Sequence, residues 1–244
     1  MSRDLDNYQQ QYTLSPFEET LARVRKEVIA GFLRERQFRN ILEVGCGVRS
    51  LAESLDDFDS FDVVEPGQEF LERAQRFVRT HQCSNRIHFH HQRFEEFRDT
   101  GRVDCIVISG LLHELGDPTG FLRHAFDIAP RGCWLHVNVP NAKSFHRLWA
   151  VEAGLIKTEY DKSVTQVRLQ QNHTFDSETL GKLVRDNGFS VVESGSYFIK
   201  PFTHSQMQQL VNLGVLTDAL IAGLMKMERH APGLGAEIFV NAHK

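Results

Sequence analysis

Short apolar runs alternate with amphipathic stretches over the first 140 residues of the chain. The fourth run, VDCIVIS, hardly alternates between apolar and polar positions, which is typical of a strand buried on both faces. Strands that alternate with helices predict a mostly parallel sheet with helices on both faces. Five runs have the length of buried strands: 40–44, 61–65, 86–91, 103–109 and 132–139.

Helical signals precede the first of these strands and separate the later ones. The segment from Ser15 to Glu18 has the form of a capping box with proline at the first helical position. Apolar residues at helical spacing then continue toward Gln37. Further helices are predicted within RSLAESL (49–55), around 70–78 and at 121–129.

The alternation changes after Pro140. A helix is predicted at 144–152, followed by an aperiodic loop over 155–175 and by a helix that Asp176 or Ser177 caps and Asn187-Gly188 ends. A sixth strand follows at 189–199 and a seventh at 235–244, with one or two helices at 204–229 between them. The prediction is one α/β domain with a seven-stranded sheet.

Composition and charge narrow the classes of function. Apolar residues make up 41 % of the chain and the net charge is −4, with no basic cluster, so a nucleic-acid partner is not expected. The polar start is unlike a signal peptide, and no apolar run suggests stable membrane insertion. Four cysteines without ligand spacing suit a reducing cytosol, and we predict a cytoplasmic protein.

The stretch NILEVGCGVRS (40–50) predicts a cofactor-binding turn after the first strand. Gly45 and Gly47 would allow the backbone to approach a ligand without intervening Cβ atoms. A dinucleotide is one candidate, but the carboxylate of Glu43 would oppose its pyrophosphate. S-adenosylmethionine carries an ammonium group that Glu43 could attract, directly or through water.

Glu65 ends the second strand, 22 residues after Glu43. A carboxylate at this place can accept hydrogen bonds from both ribose hydroxyls of either ligand. An NAD(P)-dependent oxidoreductase and a non-catalytic S-adenosylmethionine-binding protein therefore remain as alternatives to an enzyme that transfers a methyl group.

The motifs together resemble those of class I, Rossmann-like S-adenosylmethionine-dependent methyltransferases over roughly residues 38 to 200. The resemblance implies that the last of the seven strands runs opposite to the others, and that S-adenosylhomocysteine is the product. Four stretches carry it: ILEVGCG (41–47), VVEP (63–66), DCIVISGLLHELGDP (104–118) and PRGCWLHVNVPN (130–141).

The resemblance also implies a division of the single domain, 1–244. Residues 1–37 would form an N-terminal lid and helix, 38–140 the cofactor-binding core, and 141–175 with 200–232 the substrate side. The implied cofactor contacts are Glu43, Gly45, Cys46, Gly47, Glu65, Pro66, Phe94, Ser109, Gly110 and Leu111.

The acceptor side is expected to contain titratable residues. His113 or His173 could remove the proton of a hydroxyl acceptor, whereas an amine that binds neutral would need no base. We expect a small-molecule acceptor, a sugar or secondary-metabolite hydroxyl or an amine. Further substrate or lid contacts are predicted for Tyr8, Tyr12, Glu114, Asn138 and His146.

Three further expectations concern Arg49, metals and assembly. Arg49 stands where the family has a third glycine; we expect it to pair with Glu53 or to face solvent, and not to bind the cofactor. His88 and His90 share a strand face, but no cysteine or carboxylate is expected at a fitting distance from them, so no metal site is predicted. The apolar helix within 210–225 is expected to serve as core or as a homodimer contact.

Overall fold

The computed structural model describes residues 17–98, 101–163, 166–167 and 171–244. It confirms the seven-stranded, mostly parallel sheet. The strand order is β3-β2-β1-β4-β5-β7-β6, and β7 runs antiparallel to both neighbours. The strands are β1 (Asn40–Val44), β2 (Ser60–Val64), β3 (Ile87–His90), β4 (Cys105–Ser109), β5 (Trp134–Pro140), β6 (Ser190–Tyr197) and β7 (Glu237–His243).

The helices of the described residues agree with the predicted positions to within a few residues. The segment predicted to hold one or two helices contains two, and Asp176 caps the helix that precedes β6. The α-helices are α1 (Glu18–Glu35), α2 (Gln68–Val78), α3 (Pro118–Ile128), α4 (Phe145–Glu152), α5 (Ser177–Asp186), α6 (His204–Asn212) and α7 (Asp218–Lys226). Short 3₁₀ turns lie at Leu51–Ser54, Ser84–Arg86, Phe94–Glu96 and Met227–His230.

Helix α1 begins at Glu18, two residues later than the predicted start at Pro16. Phe17 precedes it in the left-handed region, with φ 62°. Its side chain is buried and stacks on Phe198, with ring centroids 6.1 Å apart, and its N–H donates to Gln208 Oε1 at 2.9 Å. Tertiary contacts therefore fix this start. Ser15 and Pro16, the first half of the predicted capping box, lie outside the described residues.

Both faces of the sheet are covered, as the continuous apolar strands predicted. In β4, Ile106 and Ile108 belong to a cluster with α3 and α5, whereas Cys105 and Val107 belong to a cluster with α1 and α2. Successive side chains of a strand point to opposite faces, so a strand covered on both sides needs apolar residues at nearly every position. Glu43 in β1 is a buried polar exception to this pattern, as are His136 and Asn138 in β5.

The strand directions place several chain ends at one edge of the sheet. The carboxyl ends of β1, β2, β4, β5 and β6 meet there, and β7 begins there because it is antiparallel. Ligands of open α/β sheets bind at this edge. None of the helices described in the structure is long and apolar enough to cross a membrane.

Candidate active site

A cleft of about 1730 Å³ lies at this edge of the sheet. Helix α1 and the loops after β1, β2 and β4 form one side of it. The start of α4, the segment around 171–174 and the loop after β6 contribute to the other. Sites for one small ligand usually measure about 300–1000 Å³, so the cleft has room for two molecules side by side.

The turn after β1 depends on glycine at two positions. Gly45 has φ 76° and Gly47 has φ 55°, both in the region that residues with a Cβ rarely adopt. A Cβ at Gly45 would also lie 3.4 Å from the Leu111 side chain. The turn therefore exposes its backbone to the cleft, and Cys46 between the glycines lines it as well.

Glu43 is buried under this turn and already has protein partners. Its Oε2 accepts a hydrogen bond from Ser50 Oγ at 2.5 Å, and its Oε1 accepts one from the Leu51 N–H at 3.0 Å. Burial raises the pKa of Glu43 to about 7, against these hydrogen bonds and the nearby Lys26, which lower it. Through these bonds the carboxylate ties the end of β1 to the start of the 3₁₀ turn.

Ser50 and Arg49 explain how the turn forms without a third glycine. Ser50 caps the 3₁₀ turn with ordinary extended dihedrals, φ −69° and ψ 151°, and its hydroxyl accepts from the Ala52 N–H. Arg49 forms an ion pair with Glu53, Nη2 to Oε2 2.7 Å, and its guanidinium lies over the Phe77 ring. The expected pairing of Arg49 with Glu53 is thus present.

Glu65 lies beside the glycine turn and is 5 % exposed. Its Oε1 accepts from the Gly67 N–H at 2.7 Å. Burial raises the pKa of Glu65 to about 7, although hydrogen bonds from the backbone of Gly67 and Gly47 lower it. Pro66 and Phe94 line the same part of the cleft. The residues predicted for ribose and adenine are therefore neighbours.

The end of β4 forms the floor between the two halves of the cleft. Ser109, Gly110 and Leu111 all line it. Gly110 has φ 62°, and a Cβ there would meet the guanidinium of Arg25 at 3.6 Å. All ten residues predicted to bind the cofactor thus line one cleft, together with Arg25 from α1, which sequence reasoning missed.

Arg25 connects α1 to a buried carboxylate at the start of β7. Its Nε donates to Glu237 Oε2 at 2.9 Å, and its Nη2 donates to the other oxygen. The hydroxyl of Tyr197 and the amide of Asn138 donate to the same carboxylate. Although burial acts to raise it, the pKa of Glu237 stays below its usual range because of Arg25 and these donors.

The position of Asn138 differs from the expectation of a substrate contact. Its side chain is fully buried and is not among the residues that line the cleft. The amide instead donates to Glu237 at 2.9 Å from underneath. Asn138 therefore supports the charged network through Glu237, which itself lines the cleft.

His113 and His173 come together although 60 residues separate them. The backbone N–H of His173 donates to the carbonyl oxygen of His113 at 2.9 Å. Nε2 of His173 is buried and has no hydrogen-bond partner among the described residues. His113 Nε2 lies 3.7 Å from Glu114 Oε1. Both histidines and Glu114 line the cleft.

The remaining predicted residues fall into two groups. His146, on α4, lines the cleft; its Nδ1 lies 3.1 Å from Ser144 Oγ, and burial followed by the neighbouring Lys200 holds its pKa well below the usual range. Tyr8 and Tyr12 lie outside the described residues. The structure adds Lys200 and His204, which also line the cleft and which no local motif indicated.

Among the described residues, no group of three or more histidine, cysteine, aspartate or glutamate side chains is placed to hold a metal ion. A carboxylate does accompany His90, contrary to the expectation from the sequence: its Nε2 lies 2.7 Å from Asp62 Oδ1 across the β2–β3 pair.

Several solved structures share the fold of this chain at low sequence identity. The chain resembles the cyclase SpnF with 14 % identity and a TM-score of 0.59, over 95 % of this chain and 83 % of that one. Magnesium protoporphyrin IX methyltransferase from Synechocystis PCC 6803, with bound SAH, is 14 % identical with a TM-score of 0.59, over 90 % of this chain and 81 % of that one. The N-methyltransferase NodS from Bradyrhizobium japonicum WM9, in complex with S-adenosyl-L-homocysteine, is 15 % identical with a TM-score of 0.54, over 95 % of this chain and 89 % of that one.

These likenesses establish the fold. A search of curated protein sequences found no match to this chain. A family model described as a methyltransferase domain matches residues 17–194, most of the chain. This match decides against the nicotinamide-dependent oxidoreductase considered above. The chain belongs to the methyltransferase-domain family, which confirms its resemblance to the class I S-adenosylmethionine-dependent methyltransferases.

Proposed function

We propose that the protein transfers a methyl group from S-adenosylmethionine to a hydroxyl or an amine of a small-molecule acceptor. The observation that carries the proposal is the single cleft. It joins the glycine turn and Glu65 on one side to His173 and His146 on the other. A displacement reaction needs two ligands in contact and in line, away from water, and a continuous cleft of this volume allows that arrangement.

The cofactor half of the cleft fits S-adenosylmethionine in two respects. The positive φ angles at Gly45 and Gly47 leave a surface without Cβ atoms, and Glu65 presents a carboxylate beside it. We assign Glu65 to the ribose hydroxyls, Pro66 and Phe94 to the adenine, and Ser109 to Leu111 to the methionine part. Glu43 would act by fixing the turn through Ser50.

The bound cofactor supplies a methyl group that its sulfonium already activates. The chain's own residues would then hold the acceptor in line and exclude water from the site. A hydroxyl acceptor must also lose a proton. His173 is our candidate for the base, because it lines the cleft and its buried Nε2 has no hydrogen-bond partner among the described residues, and His113 is the alternative beside it.

The function is tested by product formation. The purified protein, incubated with S-adenosylmethionine and fractions of a small-molecule metabolite extract, should form S-adenosylhomocysteine at a rate that depends on particular fractions. Mass spectrometry should then find a product 14 Da heavier than its acceptor. Binding of S-adenosylmethionine without acceptor-dependent turnover in any fraction would indicate a protein that only holds the cofactor.

We expect Glu65→Gln to change how cofactor affinity depends on pH. Ribose hydroxyls donate to an ionised carboxylate, so in the wild type binding below pH 7 must displace a proton from Glu65, whose pKa is about 7. Wild-type affinity should fall by up to tenfold for each pH unit below 7. Calorimetric titration at pH 5.5 to 8 measures this.

The Gln variant should bind at least tenfold more weakly than the wild type at pH 8, because it loses charge-assisted hydrogen bonds worth about 1.5–3 kcal/mol each. Its affinity should also vary less with pH. Equal affinities of the two proteins at pH 8 would remove Glu65 from the ribose site.

For a hydroxyl acceptor, His173→Gln should slow the chemical step by roughly 10² or more, since that is the usual contribution of a general base. Affinity for S-adenosylmethionine should stay within about twofold. His113→Gln is the matched variant, because the two histidines adjoin. Single-turnover methylation, measured for both, assigns the base to the residue whose loss slows it; wild-type rates in both would exclude a histidine base.

A further inference from the structure

A buried lysine on the acceptor side of the cleft has no partner within the described chain. Lys200 follows β6 by three residues, lines the cleft and is 3 % exposed. The side-chain ammonium forms no hydrogen bond or ion pair with any residue that the structure describes. A cation withdrawn from water is costly unless it is paired, so this position suggests a partner that is not part of the chain.

Two histidines adjoin Lys200 from different helices. His146 lies on α4, and His204 is the first residue of α6. Burial, and after it the nearby Lys200, lowers the pKa of both histidines well below the usual range. Both rings are therefore neutral at pH 7, and each can donate a ring N–H without adding charge.

Arg147 adds a second cation to this side of the cleft. Its guanidinium is satisfied by oxygens that carry no full charge: the carbonyls of Glu159 and Asp161 and the side-chain oxygen of Gln166. Its positive charge is thus not neutralised by a carboxylate at hydrogen-bond distance. It acts on Lys200, together with burial, to disfavour a second positive charge.

The nearest carboxylates are already engaged with another cation. Glu237 is bonded to Arg25, and Glu18 lies 3.5 Å from Arg25 Nη1. Glu18 and Glu237, the carboxylates that act on Lys200, thus share Arg25, whereas Arg147 is acted on by Asp161 and Glu159. Lys200, when protonated, has no carboxylate within hydrogen-bond distance among the described residues.

We propose that Lys200, assisted by His146 and His204, binds a carboxylate carried by the methyl acceptor. The inference rests on the proposed methyltransferase function, since it concerns the acceptor of that reaction. One buried ammonium without a partner matches a singly charged carboxylate better than a doubly charged phosphate. The carboxylate would replace the missing partner of Lys200 and accept N–H donors from the neutral histidines.

Such a site should respond to pH through Lys200. Burial lowers the pKa of Lys200 to about 7, against Glu18 and Glu237, which raise it, and Arg147 adds a smaller lowering effect. The groups that face it are Glu18 and Arg25 from α1, His146 and Arg147 from α4, His204 from α6 and Glu237 from β7. A carboxylate needs the protonated lysine, so its affinity should fall as pH rises above about 7.

The test uses pairs of ligands that differ only in charge. Benzoate with benzamide, phenylacetate with phenylacetamide, and hexanoate with hexanamide are titrated into the full chain loaded with S-adenosylhomocysteine, and ligand-observed NMR gives the affinities. At pH 6.5 the acid of at least one pair should bind at least tenfold more tightly than its amide. This preference should shrink by at least fivefold at pH 8.5.

Two variants at position 200 make the test specific. Lys200→Met keeps the length of the side chain and should abolish the preference; it should unfold at no lower temperature than the wild type, because it removes a buried unpaired charge. Lys200→Arg keeps the cation and should preserve a preference that no longer changes between pH 6.5 and 8.5, since arginine stays protonated.

Three results would overturn the proposal. The first is the absence of an acid preference in every pair, and the second is a preference that survives in Lys200→Met. The third is a loss of S-adenosylhomocysteine affinity in Lys200→Met as large as the loss of acid affinity, which would assign the lysine to the cofactor. Calorimetry with S-adenosylhomocysteine on the wild type distinguishes failure of the carboxylate site from failure of the proposed function. If it binds and the acids show no preference, the carboxylate site alone is wrong; if it does not bind, the proposed function fails too.

Discussion

The buried ion pair between Arg25 and Glu237 is the interaction on which the cleft depends. Glu237 is the first residue of β7, and Arg25 belongs to α1, so the pair joins elements 212 residues apart in the chain. Asn138 of β5 and Tyr197 of β6 donate to the same carboxylate. Four elements therefore meet at one anion, and α1 is held at the sheet edge where both halves of the cleft begin.

The two halves of the cleft differ in their electrostatics. On the cofactor side, burial raises the pKa of the carboxyls of Glu43 and Glu65 to about 7. On the acceptor side, burial lowers the pKa of Lys200 to about 7. Burial opposes charge in both cases. Ligands that supply a counter-charge or hydrogen-bond donors would favour the charged forms of these groups again. Binding on either side is therefore expected to be coupled to the uptake or release of protons.

Much of the fold could be predicted because its signals are local. Continuous apolar strands and the glycine pair followed from the order of residues, and so did the ion pair of Arg49 with Glu53, four residues apart. The start of α1 was predicted two residues too early, because the burial of Phe17 against Phe198 depends on contacts distant in sequence.

The site was predictable only in part, for the same reason. The ten cofactor residues follow strand ends in the family's motifs, and they all line the cleft. Arg25 and Glu237 were missed because a charge pair between α1 and β7 leaves no local spacing in the sequence. Lys200 was missed because its burial in the cleft depends on contacts distant in sequence. Asn138 was placed in the substrate site from its strand position, but a strand residue near that end can equally support a buried charge from below.

A double-mutant cycle tests the role of the ion pair most directly. Arg25→Met leaves the Glu237 carboxylate buried without its cation and should lower the free energy of unfolding by about 3–5 kcal/mol, and S-adenosylmethionine should bind at least tenfold more weakly as α1 loosens. Adding Glu237→Gln should recover about 1–3 kcal/mol of unfolding free energy and part of the cofactor affinity. Losses that simply add, with coupling under about 0.3 kcal/mol, would contradict a cleft organised by this pair.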